Sequence, residues 1–199
     1  SVASYSAYQR QDWLIPWACA LGREQGLSPV IAVARAADGA PLALLPLGVR
    51  RVGPLRLAEL LGGKDANFHL GLFHPGVRLD AQDLRDLLNA AAAATPGGID
   101  LFELLNLPLA WEGAPNPLAA LARNRSPSDA YKSALSAPGE AFLKRRLSGE
   151  TRKKLRKKEA KLAELGPIRH VVARDADAAR AILATYQAQK TTRMQAKGI

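Results

Sequence analysis

The chain has 199 residues, 48% of them apolar, and a formal net charge of +10, a composition that can bury a core and excludes a disordered chain. The charge sits at one end: residues 1–139 hold 12 Lys/Arg against 12 Asp/Glu, whereas residues 140–199 hold 16 against 6. A neutral globular part followed by a basic helical part is the organisation this implies, and any function must connect the two.

From the N-terminus, the spacing predicts a helix over Tyr8 to Gln25 with Trp13, Trp17 and Leu21 on one face, ended by Gly26. Cys19 is expected as a small buried residue of that helix. The Trp13/Trp17 pair reads as core. The β-branched run Val30 to Val33, the Asp38-Gly39 turn signal and the stretch Leu42 to Val52 read as a β-hairpin. A further apolar stretch, Leu55 to Leu61, stops at Gly62-Gly63, and a turn follows at His74-Pro75-Gly76. Asp80 can cap a helix through Leu84, Leu87, Leu88 and Ala91 to the Pro96-Gly97-Gly98 break, with a strand next at Ile99 to Leu105. A Pro-rich connection from Pro108 to Pro117, a short helix at 118–123 and a strand from Ala130 to Leu135 complete the neutral part, and the organisational boundary is placed at Pro138-Gly139.

Ten basic residues lie between Lys144 and Lys161. Ser148 as N-cap, Glu150 in the first turn and Gly166-Pro167 as a stop define a helix of about 149–165. Thr151, Leu155, Leu162 and Leu165 make a narrow apolar stripe on it, expected to pack, while Lys and Arg fill the other directions. Three readings of this helix stay open: a solvated amphipathic face, a polyanion site centred on Arg152, Lys153, Arg156 and Lys157, or a contact with anionic membrane, against which stands the lack of a broad apolar face. Ile168 to Ala173 reads as a strand, and Asp175 caps a helix through Ala179, Ile182, Leu183 and Tyr186 to Lys190.

A lone cysteine forms no internal disulfide, and no Cys/His cluster has metal-ligand spacing, so a cytoplasmic, metal-free protein is expected. No apolar run approaches the ~20 residues of a membrane span, and no basic stretch leads into an apolar signal core. The start at Ser1 and the stop just past Gly198 suggest a piece of a longer gene product.

The tract Leu147 to Gly166, with its Ser148-Gly149-Glu150-Thr151-Arg152-Lys153-Lys154-Leu155 opening, resembles the entry to the acetyltransferase domain of the CelD-like GNAT proteins. Tyr186 to Ile199 resembles that family's helix before the acyl-CoA half, and the Asp38-Gly39 hairpin with Leu44-Leu45-Pro46-Leu47 and the Gly62-Gly63-Lys64-Asp65-Ala66-Asn67-Phe68 segment agree in order. The resemblance implies an α/β (α+β) fold with a GNAT-like mixed sheet flanked by helices over 1–139. It also implies that 140–199, a basic helix plus a strand and a helix, opens a second, incomplete acyltransferase domain, in a plan similar to the tandem-GNAT Fem transferases.

The implied activity is acyl-CoA-dependent N-acyl transfer, with acetyl-CoA or another acyl-CoA as cofactor, a small-molecule or glycan acceptor, a homodimer as one option, and a link to cellulose or exopolysaccharide biosynthesis. In such domains a Gly-rich turn at a helix N-terminus holds the CoA pyrophosphate. Residues 1–199 contain no such turn, so the fragment alone is expected to be inactive. From the residues themselves, Lys64, Asp65, Asn67 and His69 are the candidates for contacting an acceptor: Asp65 or His69 as base, Asn67 as an orienting hydrogen bonder, Lys64 as a clamp for a carboxylate or phosphate. A polar loop capping its own backbone is the competing reading. His74 in its turn and His170 in its expected strand carry no motif. The rival function is a nucleic-acid or other polyanion-binding module built on helix 144–161. Against it stand the acid-balanced first part and the lack of aromatics among the basic residues.

Overall fold

The computed structural model describes residues 5–121, 124–131, 134 and 139–198, and the chain divides into two compact units, 1–130 and 131–199. In the first unit a turn of 3-10 helix, Ala7–Gln9, leads into α1, Gln11–Trp17, and a π-helical turn, Ala18–Gly22. The hairpin follows as β1, Ser28–Arg35, and β2, Pro41–Val52, and the chain returns along β3, Leu55–Leu60. Asp38 accepts from the Ala40 N–H at 2.9 Å and Gly39 takes φ 86°, the left-handed turn geometry that an Asp-Gly pair supplies. A short strand β4, Leu72–Phe73, precedes α2, Ala81–Ala94, and β5, Leu101–Glu103. Asp80 caps α2 as its spacing implies, accepting from the N–H groups of Gln82 and Asp83 at 2.7 and 2.9 Å. These bonds hold its carboxyl below the usual carboxylate range. A small ribbon of β6, Ala110–Trp111, and β7, Ala114–Pro115, and a 3-10 turn at Pro117–Leu121 end the described part of this unit's regular structure.

The strands form one mixed sheet in the order β1-β2-β3-β5, with β4 also on β2. β2 runs antiparallel to β1, β3 and β4, and β5 lies parallel to β3. Alternation sorts its side chains into two layers. On one face Leu45, Leu47 and Leu60 pack with Leu84 and Leu88 of α2 and with Leu118, all buried, while Val30, Ala32 and Phe102 close the margins. On the other face a smaller core of Leu14, Trp17, Leu27 and Leu61 seats α1 on the sheet. Gly48 permits that approach, since a Cβ there would stand 3.0 Å from Leu27 and from Leu61. The result is the mixed α/β sheet flanked by helices that the sequence implies.

Several expectations need correction. The helix expected over Tyr8 to Gln25 is broken at Arg10 and widened at Ala18–Gly22. Trp13 and Trp17 do stack, with centroids 6.3 Å apart and planes 11° apart, but Leu21 is exposed. Pro16 lacks an N–H to donate, and a π turn inserts about one extra residue, which rotates the following face by about 100°. The same turn leaves Cys19 exposed instead of buried. The strand expected at Ile99 to Leu105 contracts to Leu101–Glu103. The helix at 118–123 is a 3-10 turn whose last two positions lie outside the described residues; of the strand placed at Ala130 to Leu135, positions 132, 133 and 135 lie outside them and the other three join no ladder among the described residues.

The second unit contains α3, Gly139–Arg146, α4, Gly149–Ala163, and α5, Ala176–Gln195. Ser148 caps α4 by accepting from the Thr151 N–H at 3.1 Å, and Asp175 caps α5 through the Ala178 N–H at 2.8 Å. Two expectations fail here. Among the described residues Ile168 to Ala173 joins no ladder, because β-branched residues make a strand only where a neighbouring edge satisfies their backbone. The stripe on α4 does not pack either: Leu155, Leu162 and Leu165 are all exposed, as are Ile182, Leu183 and Tyr186 of α5. Among the described residues no helix is long and apolar enough to cross a membrane.

The two units should therefore answer differently to truncation. Leu84→Ala, in a position with 0% exposure, should cost about 2–5 kcal/mol in chemical denaturation, whereas Leu162→Ala should stay within about 0.5 kcal/mol. Equal losses at the two sites would contradict this division of the core.

Candidate functional site

The segment after β3 is placed by its neighbours more than by its own polarity. Gly62 and Gly63 take φ 108° and 45°, and a Cβ would meet Trp13 at 3.0 Å in the first case and Glu59 Oε1 at 2.9 Å in the second. Only glycine fits both the left-handed backbone and the close approach. Beyond them Gly63–Asp65 makes a single 3-10 turn under the tryptophan pair. Trp17 Nε1 donates to Asp65 Oδ2 at 2.9 Å, Asn67 Nδ2 donates to Tyr8 Oη at 2.9 Å, and Gln9 Nε2 donates to the Phe68 carbonyl at 3.0 Å. Tyr8 in turn stands edge-on to Trp13. Asp65 and Asn67 thus tie the loop to the N-terminal helical segment, each through one side-chain hydrogen bond.

His69 lies deeper. It is 2% exposed, its N–H donates to the Asn106 carbonyl at 3.0 Å, and its Nδ1 lies 2.9 Å from the Leu105 carbonyl oxygen. A carbonyl only accepts, so Nδ1 carries the proton and Nε2 presents a lone pair. That Nε2 is buried and has no partner. Burial pushes the imidazole below its ordinary pKa, partly opposed by the Leu105 carbonyl and by the charge of Glu59. Asn106 fixes this arrangement from the other side: it takes φ 53°, which asparagine tolerates, and donates to the Ala66 carbonyl at 3.0 Å.

A cleft of about 480 Å³ opens beside His69, lined by Lys64, Arg50, Glu59, Glu103 and Gln25. Its charged floor follows from register. Glu59 pairs with Glu103 across the parallel β3/β5 ladder, so both carboxylates leave the same face. Arg50 sits diagonally on β2, its Nε 3.3 Å from Glu59 Oε2. Glu103 has no side-chain partner among the described residues. Of the sequence candidates, the structure brings Lys64 and His69 to this cleft and sets Asp65 and Asn67 to holding the loop. Arg50, Glu59 and Glu103 were missed. The available signal was a charged residue within or at the end of each of three mainly apolar strands.

The basic candidates Arg152, Lys153, Arg156 and Lys157 lie on α4, exposed except for a half-buried Arg152. Lys154 between them is paired with Glu150 at 2.6 Å, an exposed i,i+4 contact worth little. Among the described residues no group of His, Cys, Asp or Glu could hold a metal ion. His74 closes its own turn, accepting from the Gly76 N–H at 3.3 Å, and His170 lies exposed in the segment after α4.

Comparison with known families finds that the model for the acetyltransferase (GNAT) domain matches residues 149–198, that is, α4, the connection and α5. The match supports a GNAT-type relationship and an acyltransferase-type function, and GNAT domains generally use acyl-CoA. No curated protein and no solved structure matches the chain.

The state of His69 makes stability depend on pH. Its folded pKa lies below the unfolded value of about 6.5, so the unfolded chain takes up a proton first and stability falls as pH drops below about 6.5. Urea denaturation of the wild type and His69→Gln at pH 7.5 and 5.5 should show the wild type losing more on acidification. Parallel losses would contradict a neutral buried imidazole.

Proposed function

We propose that the chain is the N-terminal portion of an acyl-CoA-dependent N-acyltransferase of the CelD-like GNAT type, in which residues 1–139 form a first GNAT-like domain and 140–199 open the acyltransferase domain. The GNAT match over 149–198 carries this reading. It gains support from the exposed apolar residues of α4 and α5, Leu155, Leu162, Ile182 and Leu183, which suit helices that meet further sheet. Acetyl-CoA or another acyl-CoA would be held by that completed domain. The basic residues Arg152, Lys153, Arg156 and Lys157 would raise the local concentration of its phosphates.

N-acyl transfer needs an amine brought to the thioester in line, a route for its proton and donors for the oxyanion. In this reading Lys64 and His69 contact the acceptor from the first domain, and Asp65 and Asn67 position the loop that carries them. An acceptor of cell-envelope or exopolysaccharide synthesis, a glycan or small amine, fits the CelD-like resemblance. Cytoplasmic location and a homodimer complete the proposal. The nucleic-acid reading has charge alone in its favour.

The test uses the longest natural product that contains this chain. Thiol release from acetyl-CoA, followed with a panel of amino sugars and amino acids, should rise at least tenfold over the rate without acceptor. Calorimetry should register acyl-CoA binding. A product that neither binds acyl-CoA nor releases thiol would overturn the proposal.

A further inference from the structure

We infer that the basic ridge of α4 docks the protein on an anionic lipid surface. At about 100° per residue, Arg152, Lys153, Arg156 and Lys157 fall within an arc of about 140°, centred about 150° round the helix from Thr151, Leu155 and Leu162. Lys153, Arg156 and Lys157 are exposed and Arg152 is half-buried. A sheet that meets the apolar stripe therefore leaves these cations in solvent. The helix itself does not account for them. Arg152 and Arg156, like Lys153 and Lys157, are equal charges four residues apart, a spacing that destabilises a helix. Arg152 also closes the first turn, at the positive end of the helix dipole. The chain's own acids give little relief: among the described residues the ion pair on α4 joins Glu150 to Lys154, off the ridge. An external layer of anions relieves the repulsion along its whole length.

What the ridge lacks selects the occupant. Residues 149–163 hold no aromatic side chain to stack a base and no Asn or Gln to read one. They present only charge, along about 22 Å of helix, a length over which a plane of lipid headgroups offers many phosphates at once. Such attraction needs no inserted apolar face, because a polybasic segment gains from each cation held within a Debye length of an anionic leaflet. The narrowness of the apolar stripe, an obstacle to insertion, is therefore no obstacle to docking. Residues 1–139, with 12 basic against 12 acidic side chains, neither add to the attraction nor oppose it. The inference goes beyond the acyltransferase reading and rests on it in one respect: an acceptor of envelope synthesis would be met at such a surface.

The test is flotation of the full chain with vesicles of phosphatidylcholine, alone or with about one third phosphatidylglycerol. The chain should float with the anionic vesicles only, and binding should fall roughly tenfold or more between about 0.05 and about 0.3 M salt. Arg152→Gln, Lys153→Gln, Arg156→Gln and Lys157→Gln combined should weaken it roughly thirtyfold or more. Arg23→Gln, Arg51→Gln, Arg78→Gln and Arg85→Gln combined, an equal loss of charge at exposed positions of the first unit, should change it less than about threefold. Circular dichroism should show the ridge variant no less helical than the wild type, since its like-charge pairs are gone. Equal binding to neutral vesicles, equal weakening in the two variants, or tighter binding to a short DNA duplex than to anionic vesicles at equal phosphate would each overturn the inference. Absence of docking with acyl-CoA turnover intact defeats this inference alone. Docking without turnover defeats only the acyltransferase reading.

Discussion

The parallel pairing of β5 with β3 is the constraint on which the first unit's chemistry depends. Among the described residues it is the one parallel contact in an otherwise antiparallel sheet, and it needs the whole of α2 as a crossover. The Asp80 cap starts that helix, and Leu84 and Leu88 press it onto Leu45, Leu47 and Leu60. With the crossover fixed, Phe102 enters the core and Glu103 is left on the opposite face beside Glu59. A slip of β5 by one residue would turn Glu103 toward α2 and Phe102 out of the core, so the hydrophobic layer itself holds Glu103 beside Glu59.

The second face is closed by a different device. Trp13 and Trp17 lie over the Gly62-Gly63 turn, and Trp17 is held to Asp65 beyond it. This fixes the loop at its start, and Asn106 and Gln9 fix it further along. His69 is thereby carried inward to the edge of the cleft, where its backbone N–H bonds the Asn106 carbonyl and its Nδ1 contact with the Leu105 carbonyl orients the ring. Rigid support around an unpaired buried nitrogen is the pattern of a site organised before its ligand arrives.

Features written by local chemistry were legible in the sequence. The Asp38-Gly39 hairpin and the caps at Asp80, Ser148 and Asp175 stand as read, because each depends on a side chain bonding its own backbone neighbours. What depends on distant partners was not legible. The adjacency of Glu59 and Glu103 exists only once residues 44 apart in sequence are in register. Asp65 and Asn67 resembled site residues by composition, yet Trp17 and Tyr8 claim them from 48 and 59 positions away. Ile168 to Ala173 has strand composition without a strand partner, and the π turn at Ala18–Gly22 shifts a helical face whose period looked regular. The GNAT resemblance was read across the whole chain, and the family match supports it over α4 and α5.

A neutral imidazole held in one tautomer by the Leu105 carbonyl, its Nε2 buried without a partner, is the feature that the loop and the Asn106 turn together create at His69. Long-range ¹H–¹⁵N correlation of the His69 side chain at pH 7 reads that state directly. The Nδ1–H form, with a bare Nε2, should be the species observed. A proton on Nε2, or a charged imidazolium, would contradict the account.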